Sequence, residues 1–459
     1  MTETSSDIIR NRLTAQNAFF KKGTTRSVDG RRSSLKKLRA TILANQEKIT
    51  SALHTDLGKS PEEAFITEIG LVIKEIDLHI KNVGRWSKTK RVHTPIYLLP
   101  SSSHLKYEPR GTVLIVAPWN YPFQLIMTPL IGAISAGNCA MLKPSEFSPH
   151  INAVMDEIIQ DVFEPDHVSM VHGGKPTNQA LFAEKFDMIF FTGSTMLGKV
   201  VAKAAAERLT PTVLELGGKS PCIIDESADL ETTARKIAWG KTVNLGQTCI
   251  APDYLLVHTN IKEELQAKII GYWKTFYGDD PQKSEFLPRM VTEQAFDRVT
   301  NYLSQGRVVH GGQINREDKY IAPTLMDDVD LGGSIMDEEI FGPILPLITY
   351  ENIEEAIKFV NGKEKPLAYY YFGKSTKAKR LLEENTSGGV CINDTLIHIS
   401  NHALPFGGVG SSGMGRYHGK HSFEAFSNAR AIMKSPTWID VPFRYPPFKY
   451  FSIVKKILS

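Results

Sequence analysis

TVLIVA at residues 112–117, AMLK at 140–143, VSMVH at 168–172, MIFF at 188–191, TVLEL at 212–216 and PCIID at 221–225 are short apolar runs separated by helical stretches. Helices are expected between them, including residues 155–163 and 199–208. That alternation points to an α/β fold with a doubly wound parallel sheet. A second alternating series follows residue 249, with YLLVH at 254–258, ILPLITY at 344–350, LAYYYF at 367–372 and GGVCIN at 388–393 as strands. Its helices are expected over 261–276, 352–360 and 377–384. Two such domains are therefore expected, with their boundary near the Gly217-Gly218 pair.

Upstream, apolar residues at Leu35, Leu38, Ile42, Ile49 and Leu53, and again at Ile66, Ile69, Ile73, Ile76 and Ile80, have the spacing of amphipathic helices. Pro95, Pro100 and Pro109 break the helical pattern across 89–110 and suit an extended hairpin there. The chain of 459 residues exceeds the length at which one core usually stops growing, in keeping with more than one domain.

A formal charge of +4, from 54 basic and 50 acidic residues scattered along the chain, does not imply a nucleic-acid partner. Cys139, Cys222, Cys249 and Cys391 lie far apart with no C-x-x-C pair, which suggests neither a zinc site nor a disulfide framework. A reducing compartment fits best. The start, MTETSSDIIRNRL, lacks the features of a secretory signal, and the apolar stretch 125–137 is shorter than the ~20 residues of a membrane helix. A soluble cytoplasmic protein is the expectation.

Three segments carry candidate chemistry. In GQTCIAP, 246–252, Cys249 follows a small polar turn that can expose a thiol, although a free cysteine is commonly a small buried hydrophobe. In PTVLELGGKSP, 211–221, Glu215 ends an apolar strand just before two glycines. It is either a turn-facing acid or a general base whose pKa the apolar strand raises. In PWNYP, 118–122, Asn120 ends another strand as a rigid amide donor or as the shaper of a turn.

PWNYP, KPSE, FTGST, LELGGKSP, GQTCIAP, EEIFGPILP and PFGGVGSSGMG occur here in the order found in the aldehyde dehydrogenase superfamily. The chain resembles its class 3 branch of fatty and aromatic aldehyde dehydrogenases. No single motif is specific, but several long ones in fixed order are. The resemblance implies that Cys249 attacks the aldehyde carbonyl to give a thiohemiacetal, and that Asn120 and the Cys249 N–H cradle the oxyanion. Hydride then passes to nicotinamide, and water activated by Glu215 hydrolyses the thioester. Glu339 of EEIFGP is implied first in cofactor positioning, with Phe341, and second in proton handling.

No G-x-G-x-x-G opens a helix after a strand, so the cofactor site departs from the common fingerprint. By the resemblance, Gly193, Ser194 and Gly198 at the start of a helix face pyrophosphate, and Trp119 and Leu216 join the site. Lys143 would bond ribose hydroxyls. Glu146 would face the adenosine ribose and favour NAD, with NADP also admitted. His398, His402, His418 and His421 are expected in neutral surface or packing roles, not as a metal site. Cys139, Cys222 and Cys391 are expected in the core.

The expected organisation is an NAD-binding domain of residues 1–88 and 111–216 and a catalytic domain of 217–400. Residues 89–110 and 401–440 form a bridging and oligomerisation element, and 441–459 a C-terminal tail. A homodimer is expected. The tail mixes Lys449, Lys455 and Lys456 with aromatic and aliphatic residues and suits peripheral membrane contact. The rival readings are an acylating, coenzyme A-dependent enzyme, a phosphorylating relative, a catalytically silent protein of the same fold, and a cysteine hydrolase. Glu215 weighs against the acylating one, and the trio Asn120, Glu215 and Cys249 against the silent one.

Overall fold

The apolar runs form the centres of two sheets in a computed structural model that describes residues 3–440 and 442–459. Met1, Thr2 and Val441, which fall in the expected first domain and tail, lie outside the described residues. The first sheet has six strands in the order Gly413–Met414, Thr212–Glu215, Met188–Thr192, Thr112–Val116, Cys139–Lys143 and Val168–Met170. All neighbours are parallel except the first pair. The central strands are buried at every residue, which is why they read as unbroken apolar runs.

Connections from Thr112–Val116 run first to one side of that strand and later to the other. The order therefore reverses between it and Met188–Thr192. Open α/β sheets bind ligands beyond the strand ends at such a switch point. Here the segments emerging there carry Trp119 and Asn120 from one strand and Gly193 and Ser194 from the other.

The second sheet has seven strands in the order Arg307–His310, Thr324–Asp327, Ile344–Tyr350, Tyr254–His258, Pro221–Ile224, Ala368–Phe372 and Gly389–Ile392. PCIID, read with the first series, pairs in this second sheet between Tyr254–His258 and Ala368–Phe372. The expected hairpin within 89–110 forms from Lys90–Val92 and Ser102–Pro109. It gains Ser427–Lys434 as a third antiparallel strand. Gly413–Met414, inside the segment read as bridging, instead extends the first sheet by pairing with Thr212–Glu215.

The helix expected through residues 35–53 is two helices, Val28–Ala44 and Gln46–Leu57, separated at Asn45, whose side chain turns back to the Thr41 carbonyl. The Ile66–Ile80 pattern also divides. A π-helical turn, Phe65–Ile69, precedes the helix Gly70–Trp86 and leaves Ile66 63% exposed while Ile69 and Ile76 are buried. The extra residue in that turn rotates Ile66 off the core face.

The apolar stretch near residue 125 lies in Pro122–Ala136, a helix buried along its whole length. Among the described residues no helix is long and apolar enough to cross a membrane. The helix Thr195–Ala206 packs so closely on the first sheet that a Cβ at Gly198 would lie 2.5 Å from Leu216 Cδ2. Gly198→Val should therefore destabilise the protein by ~1–3 kcal/mol, the usual range for an overpacked core. Urea denaturation checks this, and an unchanged midpoint would refute the close-packing account.

Candidate active site

The segment that presents Cys249 leaves the helix Leu230–Thr242 through three left-handed residues, Asn244, Leu245 and Gly246. Gly246 is required there, since a Cβ would lie 2.4 Å from the Gly342 carbonyl oxygen. The side chain of Gln247 then anchors the turn. Its Nε2 donates to the Asn244 and Arg289 carbonyls, and its Oε1 accepts from Val291 N at 3.1 Å.

Cys249 opens onto a cavity of about 200 Å³ shared with Glu215, Leu216 and Thr192. The walls are mainly apolar and include Leu125, Trp239, Val243, Ile250, Phe406 and Tyr417. Ile66 and Ile397, both substantially exposed, carry this character to the rim. Burial pushes the Cys249 thiol well above the usual thiol range, and the carboxylates of Glu339 and Glu215 push it further. The thiol is therefore protonated in this environment, and a thiolate requires a proton acceptor.

Glu215 is buried, and neither carboxylate oxygen has a hydrogen-bond partner among the described residues. Burial raises its pKa far above the carboxylate range, with partial relief from Arg416. An unpartnered buried carboxyl is costly unless it stays neutral or finds a ligand. Glu339 lies on the other side of the strand end. Its Oε2 comes so close to Gly217 that a Cβ there would overlap it. Burial raises Glu339 to about 8, although a hydrogen bond from the Gly218 N–H and the nearby Lys219 and Arg298 offset part of the rise. The whole residue retains some exposure, so crowding around the carboxyl itself is the cause.

Asn120 does not line the cavity wall but is tied to its floor. Its Nδ2 donates to the Gln247 carbonyl at 3.0 Å, two residues before Cys249, and leaves a second amide hydrogen available. Its own carbonyl accepts from Asn244 Nδ2 at 2.7 Å and from Lys59 Nζ at 3.0 Å. Lys59 is fully buried and paired with the equally buried Glu68 at 2.6 Å. Glu68 Oε2 in turn accepts from the N–H groups of Phe123 and Gln124 at the start of the helix Pro122–Ala136. Tyr121 reaches Thr248 at 2.5 Å. Sequence reasoning missed Lys59, Glu68 and Asn244. None gave a local signal: Lys59 falls in the short segment between the helices Gln46–Leu57 and Pro61–Ala64, and Glu68 is one of several charges in the amphipathic 66–80 pattern.

The cofactor candidates gather at the switch point. Trp119 meets Phe341 edge to face at 5.5 Å, and Phe341 adopts a left-handed φ of 51°. Ser194 caps the helix Thr195–Ala206 by accepting from Leu197 N. Met196, Leu197 and Val200 leave uncovered apolar surface on its first turns. Gly193 packs on the Phe191 ring, and Gly198, as described, on Leu216. These two glycines allow close packing of the helix start. Lys143 is buried, and its one hydrogen bond among the described residues goes to Glu146 at 3.1 Å. An ammonium has three donors, so two remain for ligand hydroxyls. The buried donor, the helix start and its uncovered apolar surface fit a dinucleotide.

The histidines divide. His398 and His418 stack on the two faces of Phe406, and burial lowers both to about 4, so they are neutral packing groups. His402 Nδ1 lies 2.7 Å from the buried carboxylate of Glu75, and His79 Nε2 lies 3.1 Å from it. Burial would raise Glu75, but these histidines outweigh it and hold the group well below the usual range. Cys139, Cys222 and Cys391 are buried, as expected.

Two such sheets flanking a cavity that holds a cysteine and an unpartnered carboxyl define an α/β enzyme acting on a small molecule. The aldehyde dehydrogenase family model matches residues 2–432, and the chain belongs to that family. It is 45% identical to the 4,4'-diaponeurosporen-aldehyde dehydrogenase of Staphylococcus aureus over 96% of this chain and 97% of that one. It is 43% identical to the rat aldehyde dehydrogenase family 3 member B1, over 96% and 95%. The solved structure "Substrate bound state of Staphylococcus Aureus AldH" superposes with a TM-score of 0.96 at 43% identity, covering 98% of this chain and 100% of that one. The protein is thus an oxidoreductase of the aldehyde dehydrogenase family, similar to its family 3 members.

Removing the ammonium of the buried pair leaves Glu68 without its cation. Lys59→Met should lower stability by about 3 kcal/mol, the low end for a broken buried pair, because Glu68 keeps two backbone N–H donors. Chemical denaturation measures this, and a loss below ~1 kcal/mol would show the pair to be dispensable.

Proposed function

We propose that the protein oxidises apolar aldehydes, long-chain aliphatic or aromatic, to carboxylic acids with NAD and with some tolerance of NADP. One observation carries the reading: Cys249 and the unpartnered carboxyl of Glu215 face the same apolar cavity. Cys249 Sγ is the nucleophile. As it bonds to the carbonyl carbon, the thiol proton passes to the ionised carboxylate of Glu339, the C=O π pair moves onto the oxygen and charge develops there. The free amide hydrogen of Asn120 and the Cys249 N–H are the donors proposed to stabilise it. A bound nicotinamide would supply the hydride acceptor, held by Trp119, Lys143, Glu146, Gly193, Ser194, Gly198, Leu216, Glu339 and Phe341. Glu215, once ionised, takes a proton from the water that hydrolyses the cysteine thioester. Glu339 serves cofactor positioning before proton handling.

The domain assignment belongs to the same reading: 1–88 with 111–216 for the cofactor, 217–400 for catalysis, and 89–110 with 401–440 as the bridge. A homodimer accords with the Ser427–Lys434 strand, whose second edge is unpaired among the described residues. Four free cysteines accord with a reducing cytoplasm.

Cys249→Ala should form no reduced cofactor. Glu215→Gln should give one stoichiometric burst and then stall, and Asn120→Ala should turn over ~10²-fold more slowly. Since burial raises Glu215, its basic form gains population only as pH rises. The wild-type steady-state rate should therefore climb through a titration above the ordinary carboxylate range. Absorbance of the reduced cofactor reads all of this, and a normal steady state in Glu215→Gln would remove Glu215 from the base role.

The tail exposes Phe448 (51%) and Phe451 (64%) and carries Lys449, Lys455 and Lys456, with a short helix at Phe451–Leu458. We infer peripheral contact with an anionic lipid surface. Intact protein should float with anionic vesicles and a chain ending at residue 435 should not; failure of both to float would dismiss the contact.

A further inference from the structure

An acidic residue outside the catalytic cavity reaches the cofactor end of the first sheet. The segment before the helix Ser6–Lys21 is pinned beyond the strand Val168–Met170. Thr4 N and Oγ1 donate to the His172 carbonyl at 2.9 and 2.7 Å, and His172 N donates to Thr4 Oγ1 at 3.0 Å. This places Glu3 at the start of the helix Lys175–Phe182. Glu3 Oε1 accepts from Gly174 N at 2.9 Å, and Oε2 accepts from Thr177 N at 3.2 Å and Thr177 Oγ1 at 2.6 Å. The Thr177 hydroxyl and the Gly174 N–H hold the Glu3 carboxyl below its usual range. It is an anion lodged on the first N–H groups of a helix, a position that also suits a phosphate.

Glu3 is also a neighbour of Glu146. A Cβ at Gly174 would lie 3.2 Å from Glu146 Oε1 and 3.4 Å from Glu3 Oε1, so the two carboxylates converge on one point. Their separation is well inside the ~8 Å Debye length at physiological salt, so their fields add. Lys143 ion-pairs with Glu146 and its charge also reaches Glu3, so one ammonium faces two carboxylates and the group keeps a net negative charge.

We propose that Glu3 is a specificity-determining residue for the cofactor. Its carboxylate fills the anion seat beside the ribose and, with Glu146, turns away a 2′-phosphate. This inference rests on the assignment of Lys143 and Glu146 to the adenosine ribose. A bound 2′-hydroxyl meets Lys143 and Glu146 and needs nothing from Glu3, whereas a 2′-phosphate meets two carboxylates and N–H groups already in use.

Calorimetric titration of the full chain with ADP and with 2′,5′-ADP tests this without turnover. Glu3→Gln should tighten 2′,5′-ADP by roughly fivefold, the order of one screened like-charge contact, and change ADP by less than twofold. Glu3→Ala, which also frees the Gly174 and Thr177 N–H groups, should tighten 2′,5′-ADP at least as much. The NADP to NAD ratio of kcat/KM should rise by the same factors. Unaltered ADP binding in both variants reports an intact site. An unchanged 2′,5′-ADP affinity in both, alongside weakened ADP binding in Lys143→Ala, would overturn the role of Glu3 and keep the ribose assignment. Undiminished ADP binding in Lys143→Ala would remove the ribose assignment, and the proposal with it.

Discussion

The main-chain carbonyl of Asn120 accepts from Lys59 Nζ and Asn244 Nδ2, and this junction fixes the end of one sheet against the turn that presents Cys249. The Asn120 amide closes the loop by donating to Gln247. Two segments far apart in sequence thereby share buried hydrogen bonds, each of which is harmful to break because its partner would be left unsatisfied in a dry interior. Lys59 and Glu68 extend the junction to the start of the helix Pro122–Ala136, so Asn120, the Cys249 turn and that buried helix are tied into one hydrogen-bonded unit. The oxyanion role proposed for the Asn120 amide calls for such a frame, since a donor already held in place need not reorganise.

Against this tightly satisfied frame stands a poorly satisfied cavity. The apolar walls, which would suit the apolar substrate proposed above, strip water from Glu215 and Cys249, and both respond by holding their protons. Substrate binding, thiol acidity and base strength are therefore coupled through one property, the dryness of the cavity. A more polar pocket would ionise both groups more readily and bind hydrocarbon less well. The two carboxyls differ in how far they escape this coupling. Glu339 has a backbone N–H and nearby cations, whereas Glu215 has no hydrogen-bond partner and only Arg416 to offset its burial.

What the sequence made legible follows from burial on both faces. Strands such as Thr112–Val116 and Ala368–Phe372 carry no polar interruption, so their runs stand out. Arg307–His310 and Thr324–Asp327 were missed because the first is exposed at an edge and the second is four residues long with polar ends. The motif residues at strand ends were visible as residues, but their partners were not. Lys59, in the short segment after the helix Gln46–Leu57, and Glu68 look like ordinary surface charges until the fold buries both, with the π-helical turn at Phe65–Ile69 turning Glu68 inward and Ile66 outward. Glu3 carries no local signal at all, since its contacts are made more than 170 residues away.

Backbone strain collects where these long-range contacts do. Asn244, Leu245, Phe341, Leu396 and His418 all hold positive φ, a conformation that costs non-glycine residues ~1–3 kcal/mol and persists only where surroundings over-determine it. Four of the five have a hydrogen-bonded restraint at or next to them. Asn244 N donates to Glu63, Leu396 N to the Tyr370 hydroxyl, and His418 N to Ser422 Oγ. Phe341 follows Ile340, whose N–H and carbonyl are held by Asp253 and Arg298. Four of these residues adjoin the nucleophile, the cavity wall or the Trp119 contact, and His418 backs Phe406 from behind. A turn so restrained cannot relax toward the helix it leaves. The strained loops and the buried hydrogen bonds are thus one device, in which satisfied polar groups at a distance keep the Cys249 sulfur facing the cavity.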